Sequence, residues 1–215
     1  SVRDGILSSG GTPIEFFISA LCNGMAGASL PARHKLAWRD ITACYIEATA
    51  EVNCFDGMVF ITVCDEAVPA HLMAAARLNI PSIVVIGGYM PRGHTRTADL
   101  CITDTVASYL RFKRGEIGEE EYKIAEDYCV VGGGACGLMG SGNTMAAAAE
   151  ALGMTLPLNS TTSGSDKRLL RIAYESGQRI MSLMEEDLRP SDIMTEASFT
   201  NTMKVLLGIG GSTNC

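Results

Sequence analysis

Met58-Val59-Phe60-Ile61-Thr62-Val63-Cys64-Asp65-Glu66-Ala67-Val68-Pro69 runs from an apolar, β-branched stretch into a turn, and the turn leads into His71-Leu72-Met73-Ala74-Ala75-Ala76-Arg77-Leu78. The first stretch reads as a buried strand and the last as a helix with Pro69 near its first turn. A second β-branched run, Ser82-Ile83-Val84-Val85-Ile86, follows and is closed by Gly87-Gly88. Strand, helix, strand, with the strands almost continuously apolar, implies a mainly parallel sheet covered by helices on both faces, an α/β three-layer sandwich. Cys64 and Asp65 then stand at the carboxyl end of a strand, the edge where ligands bind in open α/β sheets. A carboxylate beside a thiolate raises the thiol's pKa unless a cation compensates both, so the pair suggests a metal centre. The competing reading is a buried cysteine at a strand end with Asp65 capping the next helix.

Outward from this unit, Pro13-Ile14-Glu15-Phe16-Phe17-Ile18-Ser19 reads as a strand, and Ala37 to Val52 as an amphipathic helix carrying Ile41, Tyr45, Ala48 and Val52 on one face. Thr103 to Arg114 and Glu119 to Tyr128 read as helices, the charge run in the latter being a solvated face. Asn143 to Met154 is a small-residue helix ended by Gly153 and Pro157. Asp166 to Glu186 is a long helix with Leu169, Ile172, Ala173, Ile180, Leu183 and Met184 at core spacing. Pro190 breaks it, and a further helix covers about Ala197 to Leu207. There is no internal repeat and no low-complexity linker, so residues 1–215 read as one α/β domain.

The bulk properties narrow the class of function. With 47% hydrophobic and 19% charged residues the chain is globular. Its net charge of -7 argues against nucleic-acid binding and leaves room for a small anionic substrate if a cation is supplied locally. Eight cysteines without a secretory leader point to a reduced, cytoplasmic compartment, or an organelle if the source is eukaryotic. No Cys-x-x-Cys occurs, and apolar stretches are broken before they could span a bilayer. Ser1-Val2-Arg3 is an unusual start and Cys215 ends the chain inside a Gly/Ser turn, so both ends look cut.

Gly132-Gly133-Gly134-Ala135-Cys136-Gly137 satisfies G-x-G-x-x-G, the fingerprint of a dinucleotide site. Its context argues otherwise. Only Cys129-Val130-Val131 precedes it, and nothing acidic occurs between Glu150 and Asp166 to meet a ribose. A thiol at the centre of such a loop suits a soft metal, with backbone N–H groups donating to sulfur. His34, His71 and His94 share no spacing; His71, on the helix after Pro69, could face the site but reads rather as a surface or capping residue. Arg92, beyond the second β-branched run, could meet a carboxylate or phosphate or simply be solvated.

Five segments, in order, resemble the family of dihydroxy-acid and 6-phosphogluconate dehydratases. They are Gly11-Thr12-Pro13-Ile14-Glu15-Phe16; Cys64-Asp65-Glu66-Ala67-Val68-Pro69-Ala70; Gly134-Ala135-Cys136-Gly137-Leu138-Met139 with Asn143-Thr144-Met145 and Glu150-Ala151-Leu152-Gly153; Ser191-Asp192-Ile193-Met194-Thr195; and Gly210-Gly211-Ser212-Thr213-Asn214. The resemblance implies a hydro-lyase that dehydrates a 2,3-dihydroxy carboxylate, a branched-chain dihydroxy acid or a sugar acid, to a 2-keto acid. It implies an iron-sulfur cluster, two- or four-iron, as Lewis acid, with Cys64 and Cys136 among its ligands, and magnesium held by Asp65. Ser212 and Thr213 would border the substrate, and a dimer or dimer of dimers is implied.

Two positions depart from the family pattern. The lysine that follows Cys-Asp there, carbamylated to bridge to magnesium, is Glu66 here, a carboxylate that can stand in as an anionic oxygen donor. An aspartate of the family's Ser-Asp-Gly-Ile turn falls on Asn23 of Cys22-Asn23-Gly24-Met25, where only a neutral carbonyl can ligate. On this reading the first cluster cysteine would precede Ser1, and the C-terminal domain with the catalytic base would follow Cys215, which leaves no catalytic base in this chain and the isolated chain inactive. The contrasting expectation is a non-catalytic scaffold or interaction paralogue whose metal site has degraded.

Overall fold

A computed structural model of the chain describes residues 1–22, 24 and 30–215. Helix α1 (Val2–Ser8) and a segment without regular secondary structure over 11–22 precede a 3-10 turn, Leu30–His34. There follow α2 (Lys35–Val52), β1 (Met58–Thr62), α3 (Ala67–Leu78) and β2 (Ser82–Ile86). A small antiparallel pair, β3 (Gly93–His94) and β4 (Asp99–Leu100), precedes α4 (Ile102–Lys113) and α5 (Glu119–Tyr128). The chain closes with α6 (Ser141–Ala151), α7 (Arg168–Glu185), α8 (Pro190–Ile193) and α9 (Glu196–Gly208).

β1 and β2 pair in parallel from Met58↔Ser82 to Thr62↔Ile86, joined by α3 as a crossover. Period-two alternation sends their side chains to two different helical layers. Met58, Phe60, Val84 and Ile86 meet Ala43, Ile46 and Ala50 of α2, Val68, Leu72, Ala74 and Ala75 of α3, and Ala146 and Ala149 of α6. On the opposite face Ile83 and Val59 meet Ile180, Leu183 and Met181 of α7, with Ile6 of α1. The chain is thus an α/β protein in three layers, its parallel sheet flanked by helices. At Gly177 a Cβ would run into the Val2 carbonyl, so α1 and α7 can cross this closely only because that position carries no side chain. Ion pairs such as Arg179–Glu186 (2.6 Å) lie on the surface, where each contributes about 0–1 kcal/mol; the two apolar layers hold the fold.

The edge of β2 away from β1 is closed by irregular chain. Val84 N–H donates to the Met154 carbonyl at 2.7 Å. The fully buried Asn159 accepts from Ile86 N–H at 2.7 Å through Oδ1 and donates from Nδ2 to Ile86 O at 3.0 Å. Just past the strand, Ala135 N–H donates to Gly88 O (2.8 Å) and Met90 N–H to Ala135 O (2.7 Å), which clamps the 133–139 turn to the exit of β2. Gly134 makes that clamp possible. Its φ is +112°, and a Cβ would lie 2.6 Å from the Tyr89 carbonyl carbon and 2.7 Å from Met90 N.

Strand and helix expectations hold to within a few residues for 58–86, and for 103–114, 119–128, 143–154, 166–186 and 197–207. Three expectations are corrected. Residues 13–19 keep the alternation of a strand, with Phe16 and Ile18 packed against the core and Phe17 84% exposed, but they form no ladder. The face of α2 turned inward is Thr42, Ala43, Ile46 and Ala50, whereas Ile41 and Val52 are 67% and 83% exposed. Apolar residues surround that helix, and close packing on the alanine-rich α3 selects the small ones. His71 is buried rather than at the surface, its ring edge-on to Phe60 with centroids 5.5 Å apart. Among the described residues no helix is long and apolar enough to cross a membrane.

His71 Nδ1–H donates to Ala67 O at 2.6 Å, which favours the protonated ring, but burial outweighs that bond. Burial holds its pKa below the ordinary 6.5. The unfolded chain therefore binds a proton at a higher pH than the folded one: the stabilisation is complete above 6.5 and is lost as pH falls through the lowered folded value. Melting temperature is expected to drop between pH 7.5 and 5.5, and His71→Met is expected to lessen that drop, with thermal denaturation followed by circular dichroism as the measurement. Gly134→Ala is expected to lower stability by about 1–3 kcal/mol, from a disfavoured φ and a backbone collision, read by urea denaturation. An unchanged midpoint would mean that the clamp does not constrain the turn.

Candidate metal centre

β1 delivers Cys64 to the rim in a left-handed backbone conformation, φ +80°, between the strand and α3. Its Sγ donates to Asp65 Oδ1 at 3.1 Å. The thiol is pushed up to about 12, first by burial, then by the hydrogen bond to and the charge of Asp65, with Cys22 adding to the effect. Glu66, only 7% exposed, stands at the N-terminal boundary of α3, whose first turn also contains Pro69. Proline is tolerated there because the N–H it lacks would be unpaired within the helix in any case.

Cys136 comes from the clamped turn. Asn143, in the first turn of α6, donates from Nδ2 to both Cys136 O (2.9 Å) and Leu138 O (2.7 Å), fixing the turn to that helix. The same helical turn reaches the other thiol's loop: the position a Gly142 Cβ would occupy is 3.2 Å from Ala135 Cβ and 3.5 Å from Cys64 Cα. Both cysteine-bearing loops therefore meet at the start of α6. Burial raises the Cys136 thiol, followed by the neighbouring Cys22, and Asp65 and Cys101 also push it up.

The remaining expected residues fall as follows. Ser212 N–H donates to Thr144 Oγ1 at 2.9 Å, which places the 211–214 loop on the first turn of α6, with Thr213 exposed. Asn23 lies outside the described residues. Arg92 pairs with Asp104 at 3.7 Å and approaches Cys101 Sγ at 3.8 Å, its stem 3.6 Å from where a Gly137 Cβ would be. Two thiols that motif reading did not select share this rim. Cys22 acts on both Cys64 and Cys136, and Cys215, 3.5 Å from Ser141 O, is raised by burial and then by Asp65, with Glu66 also contributing. Cys22 opens the Cys22-Asn23-Gly24-Met25 segment and Cys215 follows Gly210–Asn214, but neither segment was read for its thiol. The glycine-rich loop is not the start of a strand-turn-helix phosphate cradle, since α5 precedes it and the Ala135 amide is spent on Gly88.

The donor set fits a soft-metal centre with a hard cation beside it. Sulfur from two loops suits iron, and the carboxylates of Asp65 and Glu66 suit magnesium. Burial leads both shifts and the Asp65 carboxylate adds to each, so a cation placed at this rim would relieve the charge of Asp65. Among the described residues no three His, Cys, Asp or Glu side chains converge tightly enough to hold a single ion. Beyond the turn, a cleft of about 670 Å³ is lined by Tyr89, Leu138, Met139, Asn143, Glu150 and Ile209, among others. Glu150 there serves structure, accepting from Leu158 N, Ser160 N and Ser160 Oγ at 2.6–2.8 Å.

The chain is similar to proteins named dihydroxy-acid dehydratase. That of Methanococcus vannielii is 39% identical over 214 residues, covering 100% of this chain and 39% of its own length. Those of Pyrococcus abyssi and Moorella thermoacetica are each 40% identical over 214 residues, with the same coverage of both chains. The chain thus spans about two-fifths of the length of these relatives. The family described as "Dihydroxy-acid/6-phosphogluconate dehydratase N-terminal" matches residues 1–215. With a whole-chain family match and relatives this similar along its full length, the chain belongs to the dihydroxy-acid/6-phosphogluconate dehydratase family.

Proposed function

We propose that this chain is the cluster-binding part of a hydro-lyase that removes water from a 2,3-dihydroxy carboxylate, a branched-chain dihydroxy acid or a sugar acid, leaving a 2-keto acid. Membership of a dehydratase family supports the reaction class. The observation that carries the reading is that the loops of Cys64 and Cys136, distant in sequence, meet at the first turn of α6 with Asp65 acting on both thiols. When bound there, an iron-sulfur cluster and magnesium supply the Lewis acidity that a poor leaving group such as hydroxide and a weakly acidic C2–H require.

The chain's own groups prepare the site in three ways. Cys64 and Cys136 are protonated in the metal-free protein and release those protons as they become ligands. Asp65, which accepts a hydrogen bond from the Cys64 thiol at 3.1 Å, would offer a carboxylate oxygen beside the sulfur. Glu66 adds a second carboxylate, and Asn23 a neutral carbonyl where a charge would bind magnesium more tightly. Ser212 and Thr213, on the loop tethered to Thr144, are assigned to the substrate side of the rim. No residue of this chain is assigned as the base that takes the C2 proton.

Anaerobic purification followed by iron and acid-labile sulfide analysis tests the reading. A brown protein with both elements is expected, and Cys64→Ser and Cys136→Ser should each reduce bound iron by about tenfold or more while circular dichroism shows an intact fold. A colourless protein that stays folded and takes up neither iron nor sulfide would favour the non-catalytic scaffold instead.

A further inference from the structure

The exit of β2 carries a cation past the Cys136 turn. The position a Gly137 Cβ would occupy is 2.8 Å from Met90 O, 3.5 Å from Pro91 O and 3.6 Å from Arg92 Cγ, so the 90–92 stretch lies against the residue that follows Cys136. This is the carboxyl edge of a parallel strand, where loops converge on ligands. The Asp65 carboxylate stands at the same rim, and the chain as a whole carries a net charge of -7. An anionic hydroxy acid approaching it needs a cation that is not already neutralised.

Arg92 is held loosely. Its Nη2 is 3.7 Å from Asp104 Oδ2 and 3.8 Å from Cys101 Sγ, and among the described residues no oxygen accepts a hydrogen bond from its guanidinium. By contrast Arg179 reaches Glu186 at 2.6 and 2.9 Å. Asp104 is committed elsewhere: the same Oδ2 accepts from Cys101 N–H at 2.7 Å and so completes the capping box at the start of α4. A half-exposed guanidinium whose planar fork is unfilled suits a carboxylate or a phosphate, either of which can accept two parallel hydrogen bonds from it.

We infer that Arg92 is a specificity-determining residue of this site, exchanging its loose contact with Asp104 for an oxyanion of the substrate, a carboxylate or a phosphate. The inference rests on reading the Cys64–Cys136 rim as the substrate site and deepens it by naming the cation that receives the substrate's charge.

The experiment titrates the full chain, metal-free and isotope-labelled for magnetic resonance, with gluconate, 6-phosphogluconate and inorganic phosphate at constant ionic strength. The Arg92 Nε–H signal, identified by its loss in Arg92→Gln, and the backbone amides of 133–139 are followed. Saturable movement with gluconate assigns the carboxylate, and movement with 6-phosphogluconate alone assigns the phosphate; either supports the inference. Arg92→Gln is expected to weaken binding of the acid by about tenfold, and Arg92→Lys by less, since the charge is kept and only the fork is lost. Asp104→Asn keeps an acceptor for Cys101 N–H and removes the competing charge, so it is expected to tighten binding, a change that damage to the fold would not produce. No movement with either acid, parent-like binding in Arg92→Gln, or inorganic phosphate bound as tightly as either acid, which means an adventitious ion only, would overturn the assignment. Iron and labile sulfide uptake by the reconstituted parent reports separately on the cluster: a protein that takes up cluster without these responses loses Arg92 alone, and one that binds the acids through Arg92 but takes up no iron loses the cluster reading alone.

Discussion

A strand edge that is buried must have its backbone groups paired, and β2 meets that requirement without a third regular strand beside it. Leaving one such N–H or C=O unpaired costs about 1–3 kcal/mol. The 154–164 stretch and the 133–139 turn supply the partners: Met154 O for Val84, the Asn159 carboxamide for both groups of Ile86, and Ala135 for Gly88 and Met90. Because those partners are obligatory, the loops that carry them have little freedom in where they lie. Cys136 follows Ala135 directly, so closing the sheet edge also sets the second thiol at the rim. The same hydrogen bonds that complete the fold therefore position the site.

The site that results is electrostatically loaded. Cys64, Cys136 and Cys215 are all pushed up, with burial the leading cause in each, and the acidic groups Asp65, Glu66 and Cys22 add to the shifts between them. At neutral pH the metal-free protein resolves this by keeping the thiols protonated, and the Cys64–Asp65 hydrogen bond shows how that proton is shared. A soft cationic centre reverses the balance, because thiolates bind it while it screens the carboxylates beside them. The start of α3 favours negative charge, so the carboxylates of Asp65 and Glu66 suit that place. Under the proposed function, the binding free energy of a metal would add to the stability of the fold.

Local periodicity made the central unit legible: the Met58–Val63 and Ser82–Ile86 runs and the alanine-rich stretch between them each show one period clearly. The amphipathic long helix over 168–185 was readable for the same reason. What escaped depends on distance in sequence. Asn159 lies in Leu158-Asn159-Ser160-Thr161-Thr162, which reads as a polar loop, yet its carboxamide completes a strand edge 73 residues away. The inward face of α2 was misread because large apolar residues lie on its outer face, and only the close approach of α3 selects Ala43 and Ala50 over Ile41 and Val52. Cys215 stands beside the start of α6, its Sγ 3.5 Å from Ser141 O, a contact across 74 residues that no local period foretells.

The backbone at Cys64 carries its own argument. Several non-glycine residues here have positive φ, and Cys54, Asn79 and Asp187 among them follow helices, where a left-handed residue commonly ends the turn. Cys64 ends no helix. It holds φ +80° at the step from β1 into α3, a conformation that costs a residue with a Cβ about 1–3 kcal/mol and that glycine would adopt freely. Burial of the thiol and its hydrogen bond to Asp65 both favour the protonated form of the side chain. Under the proposed function, the sulfur at this position, whose backbone favours glycine, has a role that glycine could not supply.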